Sequence, residues 1–293
     1  MADGTISFPM FGDFSINPAS SFKVGPLTVH WYGVIIAVGF FLAVLYCAKR
    51  SKEFGLKEDN IYDAVIIGLP VSLIFARLYY IIFYPELFKG ASFIDYIAIW
   101  NGGIAIYGGV IGAFLTVIVY SRIKKFKPLA LLDLVSIGFL IGQFIGRWGN
   151  FMNREAYGYE TSLPWRMGLT YGGVTTYVHP TFLYESLWNF AGFILLHFLS
   201  KKRKYDGEVL LMYLAWYGLG RAVIEGLRTD SLYIPGTGIR VSQLLAAVTC
   251  LVAVVLLVIN RTVRKHDPKD MLCNKAPEES GKEQKPEEPG DAE

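Results

Sequence analysis

With 293 residues, of which 53% are hydrophobic and 18% charged, the chain is more apolar than a soluble domain of its size. Its net charge of +3 is too small to point to a polyanionic partner, and no nucleic acid is expected. The charges stand in short clusters between apolar runs long enough, at about 20 residues, to cross a hydrocarbon core roughly 30 Å thick. These runs lack the alternation of barrel strands, which leaves spanning helices as the expectation.

In chain order, the opening stretch MADGTISFPMFGDF has neither a basic start nor an early apolar core, so no cleavable signal peptide is expected. Seven spans are predicted, at 29–48, 61–84, 103–120, 129–146, 181–199, 208–225 and 241–259. Pro85, Pro128 and Pro180 mark span boundaries. Pro70 falls inside the second span and is expected to kink it, and the fourth can extend through Arg147 to Asn150. Between the fourth and fifth spans lies a segment of about 30 residues rich in aromatics and glycine, too long for a turn and expected to form a small outer cap. From His266 the chain turns to Pro, Glu and Lys without aromatics, so a seven-helix domain over 1–265 is expected to be followed by a disordered tail over 266–293. Cys47 and Cys250 lie in apolar runs and read as core residues; the three cysteines lack metal-ligand spacing. No internal repeat is visible.

Basic residues fix the expected orientation. Lys49, Arg50, Lys52 and Lys57 follow the first span; Arg122, Lys124, Lys125 and Lys127 follow the third. Lys201, Lys202, Arg203 and Lys204 follow the fifth, and Arg261, Arg264 and Lys265 the seventh. The other side carries only Lys23 and Lys89 in its corresponding positions. The expectation is an all-α membrane protein with seven transmembrane helices, N-terminus outside and C-terminus cytoplasmic.

That orientation gathers the unusual polar residues in the outer half: Tyr32, Arg77, Tyr107, Arg147, Asn150, Asn153, Glu155, Tyr184, Glu185, Arg221, Glu225, Arg228 and Arg240. Ionisable groups within spans are costly and mark transport routes or chemistry; the alternative is a structural ion-pair network or snorkelling to the headgroups. Convergence of the set at one depth favours a site. Tyr217, Arg221, Glu225 and Arg228 recur at helical spacing and form one stripe, in which Glu225 can hold Arg221 and leave guanidinium hydrogens for another anion. Arginine suits phosphate because its planar fork donates two parallel hydrogen bonds. Gly138, Gly142 and Gly146 form a small-residue ridge that lets a neighbouring helix approach and positions Arg147. His30, His179 and His197 read as structural histidines. An anion transporter could use the same arginines, but it would favour internal symmetry and polar residues reaching both sides. An intramembrane protease would need a Ser/His or paired-Asp set, which the spans do not offer.

The run Gly146-Arg147-Trp148-Gly149-Asn150-Phe151-Met152-Asn153-Arg154-Glu155-Ala156-Tyr157-Gly158 resembles the signature GRxGNFxNxExxG of the bacterial prolipoprotein diacylglyceryl transferase family. His30-Trp31-Tyr32-Gly33, Gly102-Gly103-Ile104-Ala105-Ile106-Tyr107-Gly108-Gly109, His179-Pro180 with Tyr184-Glu185, and Gly220-Arg221 with Glu225 and Arg228 extend the resemblance over the chain up to the tail. It implies a multi-pass enzyme of the bacterial cytoplasmic (inner) membrane that works without a cofactor or metal. Its implied partners are membrane lipids, with phosphatidylglycerol as donor, and prolipoprotein signal peptides whose lipobox cysteine receives the diacylglyceryl group as a thioether while glycerol phosphate leaves. Carried over, Arg147 and Arg221 are catalytic and bind the phosphate. Glu225 orients Arg221; Asn150, Glu155 and Gly158 shape the substrate site; Tyr32 contacts lipid or substrate at the entrance. Tyr107, the third catalytic candidate, stands where many members carry histidine in the glycine-rich motif. A free phenol titrates near 10 against about 6.5 for imidazole, so tyrosine is a poor resting base there. The expectation is that nearby arginines, rather than Tyr107, draw the incoming thiol towards thiolate.

Overall fold

The structure, a computed structural model, describes residues 4–12 and 14–275. The chain is mostly helical. Among the described residues, six helices are long and apolar enough to cross a membrane. They are α1 (Trp31–Arg50), α2 (Glu58–Phe83), α4 (Ile106–Ile123), α5 (Pro128–Asn153), α6 (Thr181–Leu199) and α8 (Val241–Thr262), with short α3 (Phe93–Ile97) and 17-residue α7 (Glu208–Ile224) between them. Each of the seven predicted runs falls on one α-helix, although 29–30 belong to a strand and 103–105 precede the start of α4. α2 continues through Pro70, and α5 runs beyond Gly146 to Asn153, carrying Arg147 and Asn150 on its last turns.

The bundle is built around α5. Half of its spanning window is buried inside the protein, against about a tenth for α2 and α8. Leu131, Leu134, Ile137 and Leu140 of α5 are wholly buried, with Leu196 and Val209 in the same core. Large apolar side chains such as Ile66, Ile74, Leu251 and Val258 instead point away from the bundle. Such an outward apolar surface is stable against lipid and costly against water.

The basic loops gather at one end, where buried polar groups tie the helices together. Wholly buried Asp133 accepts hydrogen bonds from the backbone N–H of Gly207 at 2.7 Å and of Leu210 at 2.8 Å, satisfying amides that the start of α7 leaves free. Residues 266–275 fold back over this end. The Leu272 N–H donates to Asp206 at 2.9 Å, Met271 is buried, and His266 stacks on Tyr205 with centroids 4.2 Å apart. Residues 276–293, the rest of the expected tail, lie outside the described residues.

The opposite end corrects the all-α expectation, because among the described residues it carries six short strands. β1 (Thr5–Ser7), β2 (Ser15–Ile16), β5 (Met167–Tyr171) and β6 (Val174–Val178) form an antiparallel sheet in the order β2-β1-β5-β6. β3 (Ser21–Val24) and β4 (Leu27–His30) form a hairpin leading into α1. The segment expected to cap the bundle thus supplies β5 and β6, while the N-terminus supplies the other half of the sheet. Gly172 and Gly173 close the β5–β6 hairpin with positive φ at both positions, a two-residue turn matched to strand twist. Ile6, Met167, Leu169 and Val178 bury the sheet against Phe151 of α5 and Phe182 of α6. Arg154, just past α5, pins the N-terminal segment by donating to the carbonyl of Gly4 at 2.6 Å and to Asn17 and the Pro18 carbonyl at 2.7 and 2.8 Å.

Asp133→Ala leaves two buried amides unpaired, at about 1–3 kcal/mol each. The expected outcome is a thermal midpoint in detergent lowered by roughly 5–10 °C. Asp133→Asn, which keeps one acceptor oxygen, is expected to lose about half as much, and an unchanged midpoint in the alanine chain would discount the tether.

Candidate active site

Two helix seams bring the candidate residues together at the sheet end. The first joins α1 to α5. A Cβ on Gly138 would lie 2.6 Å from Cys47 Sγ, one on Gly146 would lie 3.0 Å from Ile36, and one on Gly149 would lie 2.7 Å from the Tyr32 ring. The ridge therefore runs to Gly149 and seats Tyr32 against the backbone of the signature run. Gly142 departs from the expected pattern, since nothing lies within 4 Å of its added Cβ.

The second seam joins α6 to α7 through a reciprocal tryptophan pair. Trp188 and Trp216 stack with centroids 4.3 Å apart, and each indole N–H donates to the other residue's backbone carbonyl at 3.0 Å. The stack fits because Gly192 and Gly220 face the Trp216 and Trp188 rings without side chains. Glu185 stands one turn before Trp188, and Arg221 directly follows Gly220. The clamp thus fixes the relative height of these two charged residues.

Glu185 is the centre of the site. Only 4% exposed, it meets Arg147 of α5 at 2.6 Å, Arg221 of α7 at 3.2 Å and Arg228 at 3.2 Å. Each arginine also has a partner of its own. Arg147 donates to Asn150 at 3.3 Å, Arg221 reaches Glu225 at 2.5 Å, and Arg228 donates to Asp230 at 2.7 and 2.9 Å. Asn150 passes the network on to Glu155 at 2.9 Å, which also accepts from Asn153 at 3.3 Å. Arg228 holds the Asp230 carboxyl below the usual carboxylate range. Burial opposes the Arg228 charge, but its hydrogen bonds to Asp230 and the nearby Glu185 outweigh it and raise its pKa. Guanidinium groups from three segments thus share one buried carboxylate, an arrangement suited to recognising a second anion of similar shape.

The expected residues fall into three sets. Arg147, Asn150, Glu155, Arg221 and Glu225 form one connected network, with Glu225 beside Arg221 as the helical spacing predicts. Gly158 belongs to the frame: its N–H donates to the His179 carbonyl at 3.0 Å, it bridges to Arg228, and a Cβ there would lie 2.7 Å from His179 and 2.8 Å from the Leu227 carbonyl. Tyr32 and Tyr107 stand apart. The Tyr107 ring packs 6.2 Å from Tyr79 of α2, and among the described residues no hydrogen bond or ion pair joins it to the cluster. Arg228 reaches Glu185 by a route that helical spacing does not predict. α7 ends at Ile224, a 3-10 turn covers Glu225–Leu227, and Arg228 is extended and paired with Gly158. The shared role of Glu185 is the main feature missed in the sequence; its place beside the other acids and arginines at one depth was the available signal. Arg240, in the same outer set, also has a structural role. It donates to the Glu225 carbonyl at 2.7 Å, to Tyr159 at 2.9 Å and to Tyr233 at 3.1 Å, closing the connection between α7 and α8.

These observations define a multi-pass helical membrane protein with a buried arginine–carboxylate cluster at one end of its bundle. The model of the prolipoprotein diacylglyceryl transferase family matches residues 19–259, so the chain belongs to that family. A phosphatidylglycerol–prolipoprotein diacylglyceryl transferase of Limosilactobacillus reuteri is 42% identical over 258 residues, 84% of this chain and 92% of its own. One of the same name from Streptococcus equi subsp. zooepidemicus is 44% identical over 250 residues, covering 83% and 94%. Another from Bacillus velezensis is 40% identical over 254 residues, covering 84% and 93%.

Two glycine substitutions test the seams by opposite signs. Gly220→Ala drives a methyl into the clamped Trp188 indole and is expected to cost roughly 1–3 kcal/mol. Gly142→Ala has open space and is expected to be neutral or to stabilise by up to about 1 kcal/mol through helix propensity. Thermal unfolding of the two chains in one detergent reads the difference, and equal shifts would discount the tryptophan clamp.

Proposed function

We propose that the protein transfers the diacylglyceryl group of phosphatidylglycerol to the lipobox cysteine of a prolipoprotein. The observation that carries this reading is the convergence of Arg147, Arg221 and Arg228 on Glu185 from separate segments, in a chain of this family. The sulfur attacks the carbon of the diacylated glycerol that bears the phosphate. The S–C bond of a thioether forms, the C–O bond breaks, and its electron pair leaves on glycerol phosphate while the thiol proton passes to water. The leaving phosphate gains one negative charge, and Arg147 and Arg221 neutralise it as it develops. Bidentate guanidinium bonds suit the non-bridging phosphate oxygens, with Glu225 orienting Arg221 and Asn150 linking Arg147 to Glu155. A thiol with a free pKa of about 8.5 becomes a better nucleophile beside cations, so the same arginines favour thiolate, and Tyr107 contributes no base. Tyr32 borders the lipid entrance.

The setting follows the distribution of charge. Basic residues gather in the loops at the end opposite the cluster, which the positive-inside rule assigns to the cytoplasm. The cluster, the sheet and the N-terminus then face outward from the bacterial cytoplasmic membrane, where a translocated lipobox cysteine arrives. α7 makes the seventh span: 17 residues rise about 26 Å, and the 3-10 turn Glu225–Leu227 lengthens it.

The direct test supplies phosphatidylglycerol and a lipobox peptide to the purified protein and looks for the diacylglyceryl thioether by mass. Absence of product, with both substrates shown to bind, would overturn the assignment. Arg147→Lys keeps the charge but loses the fork, and kcat/KM is expected to fall by about 100-fold; full activity would refute bidentate phosphate binding. Tyr107→Phe is expected to retain turnover. If it bound both substrates yet lost turnover, thiol activation by the arginines would be wrong.

A further inference from the structure

Each arginine of the cluster has two kinds of partner. The private ones differ between the three: neutral Asn150 for Arg147, Glu225 for Arg221 and Asp230 for Arg228. The shared one is Glu185. A carboxylate and a phosphodiester are alike in the features a guanidinium reads, since each offers one negative charge spread over two oxygens in a plane that accepts paired N–H groups. Glu185 therefore occupies, with respect to Arg147 and Arg221, the chemical place of a lipid phosphate.

From this we infer that Glu185 is a positioning residue that acts as a resident counter-anion, exchanged at Arg147 for the substrate phosphodiester and restored when the product leaves. The inference rests on the transferase reading. The asymmetry of the cluster says which contact opens. The Arg228 side chain is 10% exposed and is fixed to Asp230 through two hydrogen bonds, so it stays with Glu185. Arg221 keeps Glu225. Arg147 has the most exposed guanidinium side chain of the three, at 20%, and its other partner is uncharged at 3.3 Å, so it is the one free to turn to a phosphate. Glu185 itself is held by the Trp188–Trp216 clamp one turn away, and exchange therefore moves an arginine side chain rather than a helix.

The arrangement has two consequences for turnover. Before substrate binds, Glu185 keeps mutually repelling guanidinium groups at the spacing that the transition state needs. After transfer, the leaving glycerol phosphate carries more charge than the lipid did and would be gripped tightly by Arg147, the one arginine of the three whose other partner is uncharged. Glu185 competes for Arg147 and releases it. A residue that only braced the fold would, on removal, loosen the arginines and weaken every anion. Removing a competitor strengthens the grip on the product.

The test uses the full-length protein in lipid nanodiscs with glycerol phosphate as the titrated probe. Glu185→Gln is expected to bind it about tenfold tighter than the unaltered protein, the equivalent of one charge-assisted hydrogen bond released from competition. With phosphatidylglycerol and a lipobox peptide, the same chain should show a lower kcat and a lower KM for the lipid. Glu185→Asp, which keeps the charge but withdraws it by one methylene, should fall between the two in product affinity and recover part of kcat. Unchanged or weaker binding in Glu185→Gln overturns the proposal. Should the glutamine chain not fold, Glu185→Asp decides alone: tighter binding than the unaltered protein supports exchange, and equal or weaker binding overturns it. Thioether formation by the unaltered protein is the separate control, so failure of the transferase reading is seen there and failure of exchange in the titration.

Discussion

Placing one charge inside a bundle is expensive, and placing a balanced set is far less so. That constraint organises the sheet end of this molecule. Arg147, Arg221 and Arg228 face Glu185, Glu225 and Asp230 in equal numbers, and each arginine combines Glu185 with a second partner of its own. Because Glu185 is shared by residues of α5, α7 and the segment beyond α7, its position depends on all three, and theirs on it. Removing one partner of such a set costs more than the pair gains on formation, since the remaining charge stays buried. The cluster is therefore a joint between helices, whatever anion it also meets in the proposed reaction.

A joint of this kind works only if the helices meet at fixed heights, and glycine provides this on both sides. On α1 and α5 the absence of side chains at Gly138, Gly146 and Gly149 lets Cys47, Ile36 and Tyr32 lie against the backbone. On α6 and α7 the gaps at Gly192 and Gly220 accommodate a tryptophan pair whose two hydrogen bonds set the register. Packing between apolar helices gains little from the hydrophobic effect in lipid, so close approach and a few directed hydrogen bonds carry specificity. These seams deliver Arg147 and Arg221 to the same carboxylate although the residues are far apart in sequence.

The helices were legible because a bilayer imposes a length on an apolar run, and charges interrupt it. For that reason α6, Thr181–Leu199, coincides with its apolar run. For α5 the apolar run ends near Gly146 and the sequence allows an extension through Arg147 to Asn150, while backbone hydrogen bonding continues to Asn153; hydropathy reports the solvent, not the helix. The sheet was not legible, since its strands are two to five residues long and Ile6 pairs with Leu169 across most of the chain. Gly172-Gly173 between alternating residues was a readable hairpin signal, but nothing local announces that the N-terminus completes the sheet. At the site, Arg221 with Glu225 was accessible through helical spacing. Arg228 was put on the same stripe, whereas a 3-10 turn and a bridge to Gly158 bring it in. Sharing of Glu185 is a property of three separate segments, and no spacing rule within one of them contains it.

The separation of Tyr107 from the cluster bears on how the two halves of the proposed reaction are divided. α4 is packed mainly on α2, where Gly108 and Gly112 let the backbones approach, and Tyr107 lies beside Tyr79 on that side. Its helix start is held by Arg77, which donates to the carbonyls of Gly102 at 2.8 Å and Gly103 at 2.6 Å and is itself buried. The α2–α4 pair thus has its own organising cation, satisfied by backbone carbonyls and hence with little left to attract a phosphate. The guanidinium groups that pair with carboxylates lie instead on α5, on α7 and just beyond it, around Glu185 of α6, which is where the proposed reaction places the phosphate. In the proposed reaction a tyrosine on α4 fits the role of wall to a lipid, because it packs on Tyr79 while the arginine–carboxylate ion pairs lie on α5, α6, α7 and the segment beyond.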